Sequence, residues 1–279
     1  MCYFNCNQRL KPFKRVRLKP KLLNNKRMTK EWFANWFDSP YYHVLYQNHN
    51  EQDAQRFIDN LLNYLTDAGK LKTHNPKLET RILDLACGKG RHSQQIATRG
   101  FDVTGLDLSK SSIRFAQQFE TDNLHFYQHD MRKAFRINYY DFIFNFFTSF
   151  GYFERDIDNL TTLKHIASGL KPDGTFIMDY FNTKWVIDTL KTDYVQTTGG
   201  IDFHIKKYIR KGHVIKKIAF HTEGVDYKFQ EKVRLFTLKD FQALYGQAGL
   251  KILELFGDYN LNPFDENTSK RLIIKAKRL

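Results

Sequence analysis

The chain has 279 residues, of which 42% are hydrophobic and 15% aromatic, and its formal net charge is +14. This size suits one sizeable core with an accessory element and leaves little room for two large independent domains. No run approaches the ~20 consecutive apolar residues of a membrane-spanning helix, and the start lacks the apolar segment of a secretory signal. We therefore expect a cytoplasmic protein.

The positive charge is concentrated at the start of the chain. Residues 1–27 carry nine Lys or Arg and no acidic residue, so residues 28–279 retain a net charge of +5, which is 14 − 9. Such a segment is typical of a solvated, disordered arm. An arm that tethers RNA through its phosphates is the alternative. A start of synthesis at Met28, where the pattern of a folded protein begins, is a third interpretation.

The cysteine content argues against a disulfide framework and against a zinc site. The chain has three cysteines, Cys2, Cys6 and Cys87. An odd and sparse set does not form a disulfide framework. No Cys/His cluster has the spacing of a zinc site, so we expect no bound metal.

The first predicted elements are helical. Residues 29–48 contain a short helical segment, a break at Pro40 and a second segment rich in tyrosine. Residues 52–67 place apolar side chains at spacings of three and four, which predicts a helix with one apolar face. Residues 68–79 are polar and contain a glycine and a proline, which is typical of a loop. We predict that residues 28–79 form an N-terminal helical lid.

Strands and helices alternate over the next hundred residues, which predicts an α/β fold with a doubly wound, mostly parallel sheet. The apolar and aromatic run at 140–147 suits a central strand that is buried on both faces. A turn is predicted at 171–174. The predicted strands cover residues 81–86, 102–108, 124–128, 140–147 and 175–180, and the predicted helices cover residues 90–99, 110–119 and 156–170.

The pattern changes after residue 198. Apolar and polar side chains alternate over residues 201–235, and turns near Gly212 and Gly224 divide this range. The pattern predicts antiparallel strands with one solvent-exposed face. Thr237 is the predicted N-cap of a helix that extends to Gln247. Two last strands are predicted at 250–256 and 271–276. The predicted division is a core of residues 80–198 and 237–279 and an antiparallel β insert of residues 199–236.

Three motifs follow predicted strands and point to a nucleotide-like ligand. The Cys-Gly-Lys-Gly segment at 87–90 joins a strand to a helix. Its glycines permit close approach of the backbone, and the start of the helix offers free N–H groups. Asp107 lies 19 residues after Gly88, where a carboxylate accepts hydrogen bonds from ribose hydroxyls. Asp130 follows the third strand, so all three motifs meet at one edge of the sheet.

These motifs and several later segments resemble class I S-adenosylmethionine-dependent methyltransferases. The dinucleotide fingerprint requires a third glycine where this chain has Ser93, which disfavours a nicotinamide oxidoreductase. The resemblance covers residues 41–279 and implies a Rossmann-like, seven-stranded sheet with a small antiparallel β lid after strand five. It is carried by LDLACGKG at 83–90, Asp107, Asp130, YYDFIFNFFTSFGYF at 139–153, LKPDGTFIMDYFN at 170–182 and LFTLKDFQALYGQAGLKILELFGDY at 235–259.

The resemblance also implies S-adenosylmethionine as the cofactor and assigns its contacts. The methionine part meets the backbone of the glycine turn, Asp107 takes the ribose, and Asp130 with Met131 takes the adenine. Asn145 lies near the methionine amino group and the methyl, and Asp84 orients the loop. The predicted cofactor-binding residues are Asp84, Ala86, Cys87, Gly88, Gly90, Arg91, Asp107, Leu108, Asp130, Met131, Asn145, Phe146 and Tyr42.

Two features of the sequence narrow the methyl acceptor. Asn145 is not followed by the prolines of amino-methylating nucleic-acid enzymes, and no cysteine follows strands four or five, as a cytosine-5 mechanism requires. Residues 147–153 and the β insert are similar to sugar-amine N,N-dimethyltransferases, which implies a small-molecule acceptor. Whether nitrogen or oxygen receives the methyl group is left open.

The same resemblance indicates residues of an acceptor pocket. Residues 41–46 are similar to the N-terminal lid of those enzymes, so Tyr42 is placed against the sulfonium and Tyr152 beside the acceptor. Tyr152 and His43 are the candidate catalytic residues, with His43 as a base because its ordinary pKa lies near the required range. Other interpretations stay open. Both tyrosines could instead be core aromatic residues, and His43 could have a structural role. For the whole protein, the alternatives are an RNA or protein methyltransferase that uses the basic arm, an NAD(P)-dependent oxidoreductase, and a cofactor-binding protein without activity.

Overall fold

The computed structural model describes residues 31–47, 51–67 and 80–279. The predicted basic arm and the predicted loop at 68–79 lie outside these ranges. No helix within them is long and apolar enough to cross a bilayer. The helices are α1 (Trp32–Phe37), α2 (Pro40–Leu45), α3 (Glu51–Asp67), α4 (Arg91–Ala97), α5 (Lys110–Ala116), α6 (Asp156–Gly169), α7 (Thr183–Asp188) and α8 (Leu238–Gln247). The strands are β1 (Arg81–Leu85), β2 (Asp102–Asp107), β3 (Leu124–Gln128), β4 (Tyr140–Asn145), β5 (Leu170–Phe181), β6 (Asp193–Thr198), β7 (Ile201–Arg210), β8 (His213–Thr222), β9 (Val225–Arg234), β10 (Leu250–Phe256) and β11 (Arg271–Arg278).

The larger sheet has seven strands in the order β10-β11-β5-β4-β1-β2-β3. Neighbours among β1 to β5 pair in parallel, whereas β11 runs antiparallel to both β5 and β10. The predicted doubly wound, mostly parallel sheet is confirmed. Because the strand order reverses between β1 and β4, the carboxyl ends of these two strands flank the crevice where such sheets bind ligands.

The smaller sheet is antiparallel, with the order β6-β7-β8-β9, and lies between α7 and α8 in the chain. Phe203 and Ile205 of β7 and Phe220 of β8 point to the same face. They form a buried cluster with Trp36 of α1 and Leu45 of α2. The antiparallel insert and the first two helices therefore share one hydrophobic core.

Buried side chains cover both faces of the larger sheet. Ile82 of β1 packs in one cluster with Phe57 of α3 and Ile96 of α4. The next residue, Leu83, belongs to a second cluster with Leu163 of α6. Successive strand residues point to opposite faces, so a strand between two helical layers is apolar at nearly every position. Each large apolar side chain that is fully buried stabilises the fold by about 1.5–3 kcal/mol.

Capping residues determine where two helices near the site begin. The hydroxyl of Ser39 accepts a hydrogen bond from the backbone N–H of Tyr41 at 3.3 Å. Pro40 begins α2, at a position where a missing N–H costs nothing. Thr237 and Asp240 form a reciprocal capping box at the start of α8. Both helices begin where the sequence predicts a break or a cap.

Strand β4 ends earlier than the sequence predicts. It stops at Asn145 rather than at residue 147, and Phe147 and Thr148 have φ values of 56° and 60°. A positive φ costs roughly 1–2 kcal/mol for a residue with a side chain, because the Cβ approaches the carbonyl oxygen. The apolar run therefore continues past the strand into a strained turn, which apolar periodicity does not distinguish from a strand.

Other element bounds differ because local turns interrupt the pattern. Helix α5 ends at Ala116, and a 3₁₀ turn at Gln117–Phe119 follows. The predicted turn at 171–174 lies within β5, where Asp173 has a φ of 59° and the pairing with β4 shifts register. Helix α7 and strand β6 were not predicted from the sequence. The antiparallel sheet consequently begins at Asp193, before the predicted start of the insert at residue 199.

Candidate cofactor and acceptor site

A cavity of about 650 Å³ opens at the carboxyl ends of β1, β2 and β4. This is the crevice beside the reversal of strand order, where open α/β sheets bind their ligands. Its volume lies within the roughly 300–1,000 Å³ of small-molecule sites. Aromatic residues of α1 and α2 and a carboxylate of β9 also contribute to its wall. The larger sheet, the lid helices and the antiparallel insert therefore meet at one space.

The turn between β1 and α4 forms one part of this wall. Ala86, Gly88 and Gly90 have positive φ values of 66°, 56° and 78°. The N–H of Ala86 donates to the carbonyl of Leu106 at 2.7 Å, which fixes the turn against β2. A Cβ placed on Gly88 meets nothing within 4 Å, whereas a Cβ on Gly90 lies 2.4 Å from the ring of Phe126. Gly88 keeps the backbone open to a ligand, and Gly90 makes room for core packing.

Alanine substitutions separate the roles of the two glycines. Gly90→Ala is expected to lower the free energy of unfolding by about 2–4 kcal/mol, because left-handed strain and overpacking against Phe126 add. Gly88→Ala is expected to cost only the strain, about 1–2 kcal/mol. Its methyl group faces the cavity and should weaken binding of the predicted cofactor by about tenfold. Chemical denaturation and calorimetric titration measure the two effects, and equal losses of stability would contradict the assignment.

Two carboxylates support the turn, of which Asp84 is buried and Asp107 is partly buried. Asp107, at the end of β2, accepts hydrogen bonds from the N–H of Gly88 at 2.9 Å and of Ser109 at 2.7 Å. Burial raises the pKa of Asp107, and these backbone hydrogen bonds oppose the rise. Asp84 accepts a hydrogen bond from the hydroxyl of Ser93 at 2.6 Å, and burial raises its pKa to about 6. Both residues line the cavity, where a carboxylate is suited to a pair of ligand hydroxyls.

Asp130 and Met131 also line the cavity. The guanidinium of Arg132 lies 2.6 Å from the carboxylate of Asp130 and 2.7 Å from that of Glu31. Burial raises the pKa of Asp130, but the hydrogen bonds and charge of Arg132 outweigh this effect and hold the pKa below its ordinary value. Arg132 contacts both oxygens of Asp130. A ligand that binds this carboxylate therefore has to share it with Arg132.

His43 lies on the cavity wall next to α5. Its Nε2 is 3.4 Å from the hydroxyl of Ser112. Burial and the nearby charge of Lys89 lower the pKa of His43 to about 4. At pH 7 the imidazole is therefore neutral, and it is a weaker base than an ordinary histidine. This environment suits a polar contact better than proton abstraction.

Tyr42 of α2 lies on the cavity wall. Its ring packs edge-on against Phe37, with the ring centroids 5.1 Å apart. Burial raises the pKa of Tyr42, and the charges of Glu231 and Asp107 add to this rise. The phenol therefore stays protonated, and its ring offers an electron-rich face to the cavity.

His92, on the first turn of α4, lines the cavity as a neutral ring. It stacks on Phe147 with the ring centroids 4.7 Å apart. Burial, together with the charge of Arg91, lowers the pKa of His92 to about 3. A histidine that is buried in its neutral form makes the fold sensitive to acid.

We expect the stability of the fold to decrease as the pH falls below 6.5. The unfolded chain binds a proton at His92 near pH 6.5, whereas the folded chain does so only near pH 3. The stabilisation is fully present above pH 6.5, and about 2 kcal/mol is lost by pH 5. Thermal denaturation between pH 7 and pH 5 should show a smaller loss for His92→Phe than for the wild type. His221→Phe, at an exposed histidine of the insert, is the control, and equal losses in all three proteins would contradict the expectation.

A buried ion pair holds the strained turn after β4. Asp179 is fully buried, and its Oδ1 lies 2.7 Å from Nε of Arg271. Its Oδ2 accepts hydrogen bonds from the N–H of Phe147 at 2.9 Å and from the hydroxyl of Tyr259 at 3.3 Å. Arg271 also donates to the hydroxyl of Thr148 at 2.9 Å. This network offsets the strain of the turn and fixes Phe147 and Tyr259 in the cavity wall.

Tyr152 follows this turn and packs within the lid. Its hydroxyl donates to the carbonyl of Thr148. Its ring lies edge-on to Trp32 and Phe37, with centroid distances of 5.6 and 5.3 Å. Burial raises the pKa of Tyr152 well above its ordinary range, and the charge of Glu231 adds to this. Tyr152 is therefore protonated, its own proton is engaged, and its oxygen retains lone pairs that can accept a hydrogen bond.

Glu231 of β9 brings a carboxylate from the insert to the cavity wall. Its Oε1 accepts hydrogen bonds from Nε1 of Trp36 at 2.7 Å and from the hydroxyl of Tyr46 at 2.5 Å. Its Oε2 lies 3.8 Å from Nζ of Lys216 on the neighbouring strand. The sequence analysis did not single out this residue.

The cavity brings together most of the residues that the sequence predicts. Gly90 and Asn145 are not part of its wall, because Gly90 packs on Phe126 and Asn145 is buried between strands. The side-chain amide of Asn145 donates to the carbonyl of Leu85 at 2.9 Å, while its Oδ1 is buried without a partner among the described residues. The predicted residues that do line the wall are Tyr152, His43, Tyr42, Asp84, Ala86, Cys87, Gly88, Arg91, Asp107, Leu108, Asp130, Met131 and Phe146.

Comparison with known proteins places the chain in a family. A family model described as a methyltransferase domain matches residues 76–228, more than half of the 279 residues. The chain is 26% identical over 264 residues to a methyltransferase of Geobacillus sp. (strain WCH70), covering 90% of this chain and 100% of the relative. It is 25% identical to dTDP-3-amino-3,4,6-trideoxy-alpha-D-glucopyranose N,N-dimethyltransferase of Streptomyces venezuelae, covering 68% and 83% of the two chains.

A solved structure shares the fold. The S-adenosylmethionine-dependent methyltransferase of Clostridium acetobutylicum matches with a TM-score of 0.72 at 18% identity, over 85% of this chain and 97% of that one. The sheet order, the antiparallel insert and the crevice together define a Rossmann-like methyltransferase fold. The chain belongs to the methyltransferase domain family. The prediction of a methyltransferase of this class, with S-adenosylmethionine as its methyl donor, is confirmed.

Proposed function

We propose that the chain transfers a methyl group from S-adenosylmethionine to a small-molecule acceptor in the cavity. The observation that carries this proposal is that the glycine turn, Asp107 and an aromatic wall share one space of about 650 Å³. A donor and a small acceptor suit this volume. The relative from Streptomyces venezuelae, whose name describes an amino-sugar N,N-dimethyltransferase, also supports a small acceptor.

The residues around the glycine turn fit the donor. The open space at Gly88 leaves room for the methionine part beside the backbone. The carboxylate of Asp107 is suited to the two ribose hydroxyls. Met131 and Leu108 offer apolar surface to the adenine ring, next to Asp130. When bound, the donor supplies a methyl group that its sulfonium already activates, so the protein has to provide position rather than difficult chemistry.

The aromatic residues suit the other part of the cavity. Tyr42, Tyr152 and Phe147 line it, and aromatic faces attract a cationic centre. The lid helices and the insert share one core, so they can exclude water from the cavity as a unit. The oxygen of Tyr152 is available to accept a hydrogen bond from an acceptor. These residues hold the acceptor and exclude water from it, which favours transfer by an in-line displacement.

Transfer of a radiolabelled methyl group tests this proposal. The full chain is incubated with labelled S-adenosylmethionine and, separately, with a panel of small amines, a panel of small phenols, and total RNA. We expect label in a small-molecule fraction and none in RNA. Label that enters only RNA or protein would contradict the proposal, as would turnover that is undiminished when Asp107 is replaced by alanine at donor concentrations near the wild-type Kd.

A further inference from the structure

Glu231 places a carboxylate among the aromatic residues of the cavity. Its side chain is only 14% exposed, and it lines the cavity with Tyr42, Tyr46 and Tyr152. Burying a carboxylate is costly unless hydrogen bonds or an opposite charge compensate. One oxygen is satisfied by Trp36 and Tyr46. The nearest cation, Lys216, is 3.8 Å from the other oxygen, farther than a charge-assisted hydrogen bond.

The charge of Glu231 acts on the cavity. Burial raises the pKa of Tyr42, Tyr46 and Tyr152, and the negative charge of Glu231 adds to the rise at each phenol. The charge of Asp107 also contributes to the rise in the pKa of Tyr42. Lys216 is not a wall residue, and burial lowers its pKa. The carboxylate of Glu231 therefore belongs to the wall, whereas its cationic partner Lys216 does not.

We propose that Glu231 recognises the methyl acceptor and selects a basic amine over an acidic oxygen nucleophile. This inference rests on the proposed function and names its substrate class. The amine first releases to water the proton that it carries at neutral pH. The lone pair of the nitrogen then forms a bond to the methyl carbon as the carbon–sulfur bond breaks, and the bonding electrons leave with the sulfur. The nitrogen thereby gains the positive charge that the sulfonium loses, and the ammonium product later releases a proton to water. A fixed carboxylate nearby stabilises this developing charge.

The same carboxylate disfavours the competing class of acceptor. A phenol or carboxylic acid reacts through its anion, and a buried anion beside Glu231 is repelled by a like charge. Because the side chain of Glu231 is largely buried, this repulsion is screened less than it is at a surface. One residue therefore favours nitrogen acceptors and opposes oxygen acceptors at the same time.

A purely structural role of Glu231 has a different signature. Its hydrogen bonds to Trp36 and Tyr46 join the insert to the lid helices, so its loss could loosen the site for every acceptor. Glu231→Gln keeps the size of the side chain and an oxygen that accepts both hydrogen bonds, and it removes the charge. Tyr46→Phe keeps the charge of Glu231 and removes the two hydrogen bonds that the phenol makes with Glu231 and Lys216, so it is the matched control.

Tyramine is a suitable probe because one molecule carries both an amine and a phenol. The ratio of N-methyl to O-methyl product, measured by mass spectrometry, does not depend on how much of the enzyme is folded. We expect mainly N-methyl product from the wild type. Glu231→Gln is expected to lower the ratio about tenfold, whereas Tyr46→Phe should leave it within about twofold.

Binding gives a second readout that needs no turnover. Benzylamine is titrated into the complex with S-adenosylhomocysteine, the demethylated product. Glu231→Gln should weaken benzylamine about tenfold and leave the affinity for S-adenosylhomocysteine unchanged. Wild-type values of both the product ratio and the benzylamine affinity in Glu231→Gln would overturn the role of Glu231. Failure to bind S-adenosylmethionine and to methylate any small molecule would instead contradict the proposed function.

Discussion

Asp107→Ala is expected to weaken S-adenosylmethionine binding by roughly 1–3 kcal/mol, a loss of about 5-fold to 150-fold in affinity. The ribose hydroxyls lose a charged acceptor. The glycine turn also loses support, because Asp107 accepts hydrogen bonds from the N–H groups of Gly88 and Ser109. Calorimetric titration measures the dissociation constant, and kcat at saturating donor should fall less than kcat/KM for the donor.

Two further variants separate charge from support of the turn. Asp107→Asn keeps an oxygen that can accept a backbone hydrogen bond and removes the charge, so its affinity should lie between wild type and Asp107→Ala. Asp102→Ala removes a carboxylate from the opposite end of β2 and should leave the affinity unchanged. An unchanged affinity in Asp107→Ala would mean that the ribose does not lie at this carboxylate.

Arg271→Met is expected to lower the free energy of unfolding by about 3–5 kcal/mol, because it leaves the fully buried Asp179 without its cationic partner. The turn at Phe147 and Thr148 also loses part of the network that offsets its strain. Chemical denaturation measures the loss of stability. In the protein that remains folded, KM for the acceptor should rise while the donor affinity changes little, since Phe147 and Tyr259 lose their fixed positions.

The double variant Asp179→Asn/Arg271→Met tests whether an unpaired charge causes the loss. It removes both charges and keeps an acceptor for the N–H of Phe147, so it should be more stable than Arg271→Met alone. Lys277→Met provides a matched control at an exposed ion pair, where Nζ lies 3.1 Å from Asp173, and should cost under about 1 kcal/mol. Equal losses in Arg271→Met and Lys277→Met would contradict this view of the buried pair.

Much of the fold could be predicted because its local signals agree with its tertiary structure. Strands between two helical layers leave continuous apolar runs, and caps such as Thr237 mark where helices begin. The end of β4 could not be predicted, because the N–H of Phe147 donates to Asp179, 32 residues further along the chain. Neighbouring residues do not encode such a contact, so the apolar run alone overextends the strand.

The cofactor side of the cavity was predictable for a geometric reason. Parallel strands bring their carboxyl ends to one edge, so acids that follow β2 and β3 have to lie near the glycine turn after β1. Gly90 looked equivalent to Gly88 in the sequence, but the approach of Phe126 distinguishes the two. That contact depends on how β3 packs against the turn, and the sequence of the turn does not predict this packing.

The acceptor side was harder to predict, and Glu231 shows why. Alternation along β9 places Tyr227, Phe229 and Glu231 on the same face, and the two aromatic residues pack in the core shared with α1 and α2. An acid in an inward-facing aromatic row is a signal that the sequence contained. The role of this acid could not be predicted, because it depends on the contact between this face of β9 and the lid helices at the cavity. That contact is formed only in the tertiary structure.

A crystal structure of the full chain with S-adenosylhomocysteine tests the central claim most directly. We expect the ribose hydroxyls to lie within hydrogen-bond distance of the carboxylate of Asp107, beside the open face of Gly88. We also expect the thioether sulfur to face the part of the cavity lined by Tyr42, Tyr152 and Glu231. A ligand bound elsewhere, or one whose ribose lies away from Asp107, would contradict this placement of the cofactor.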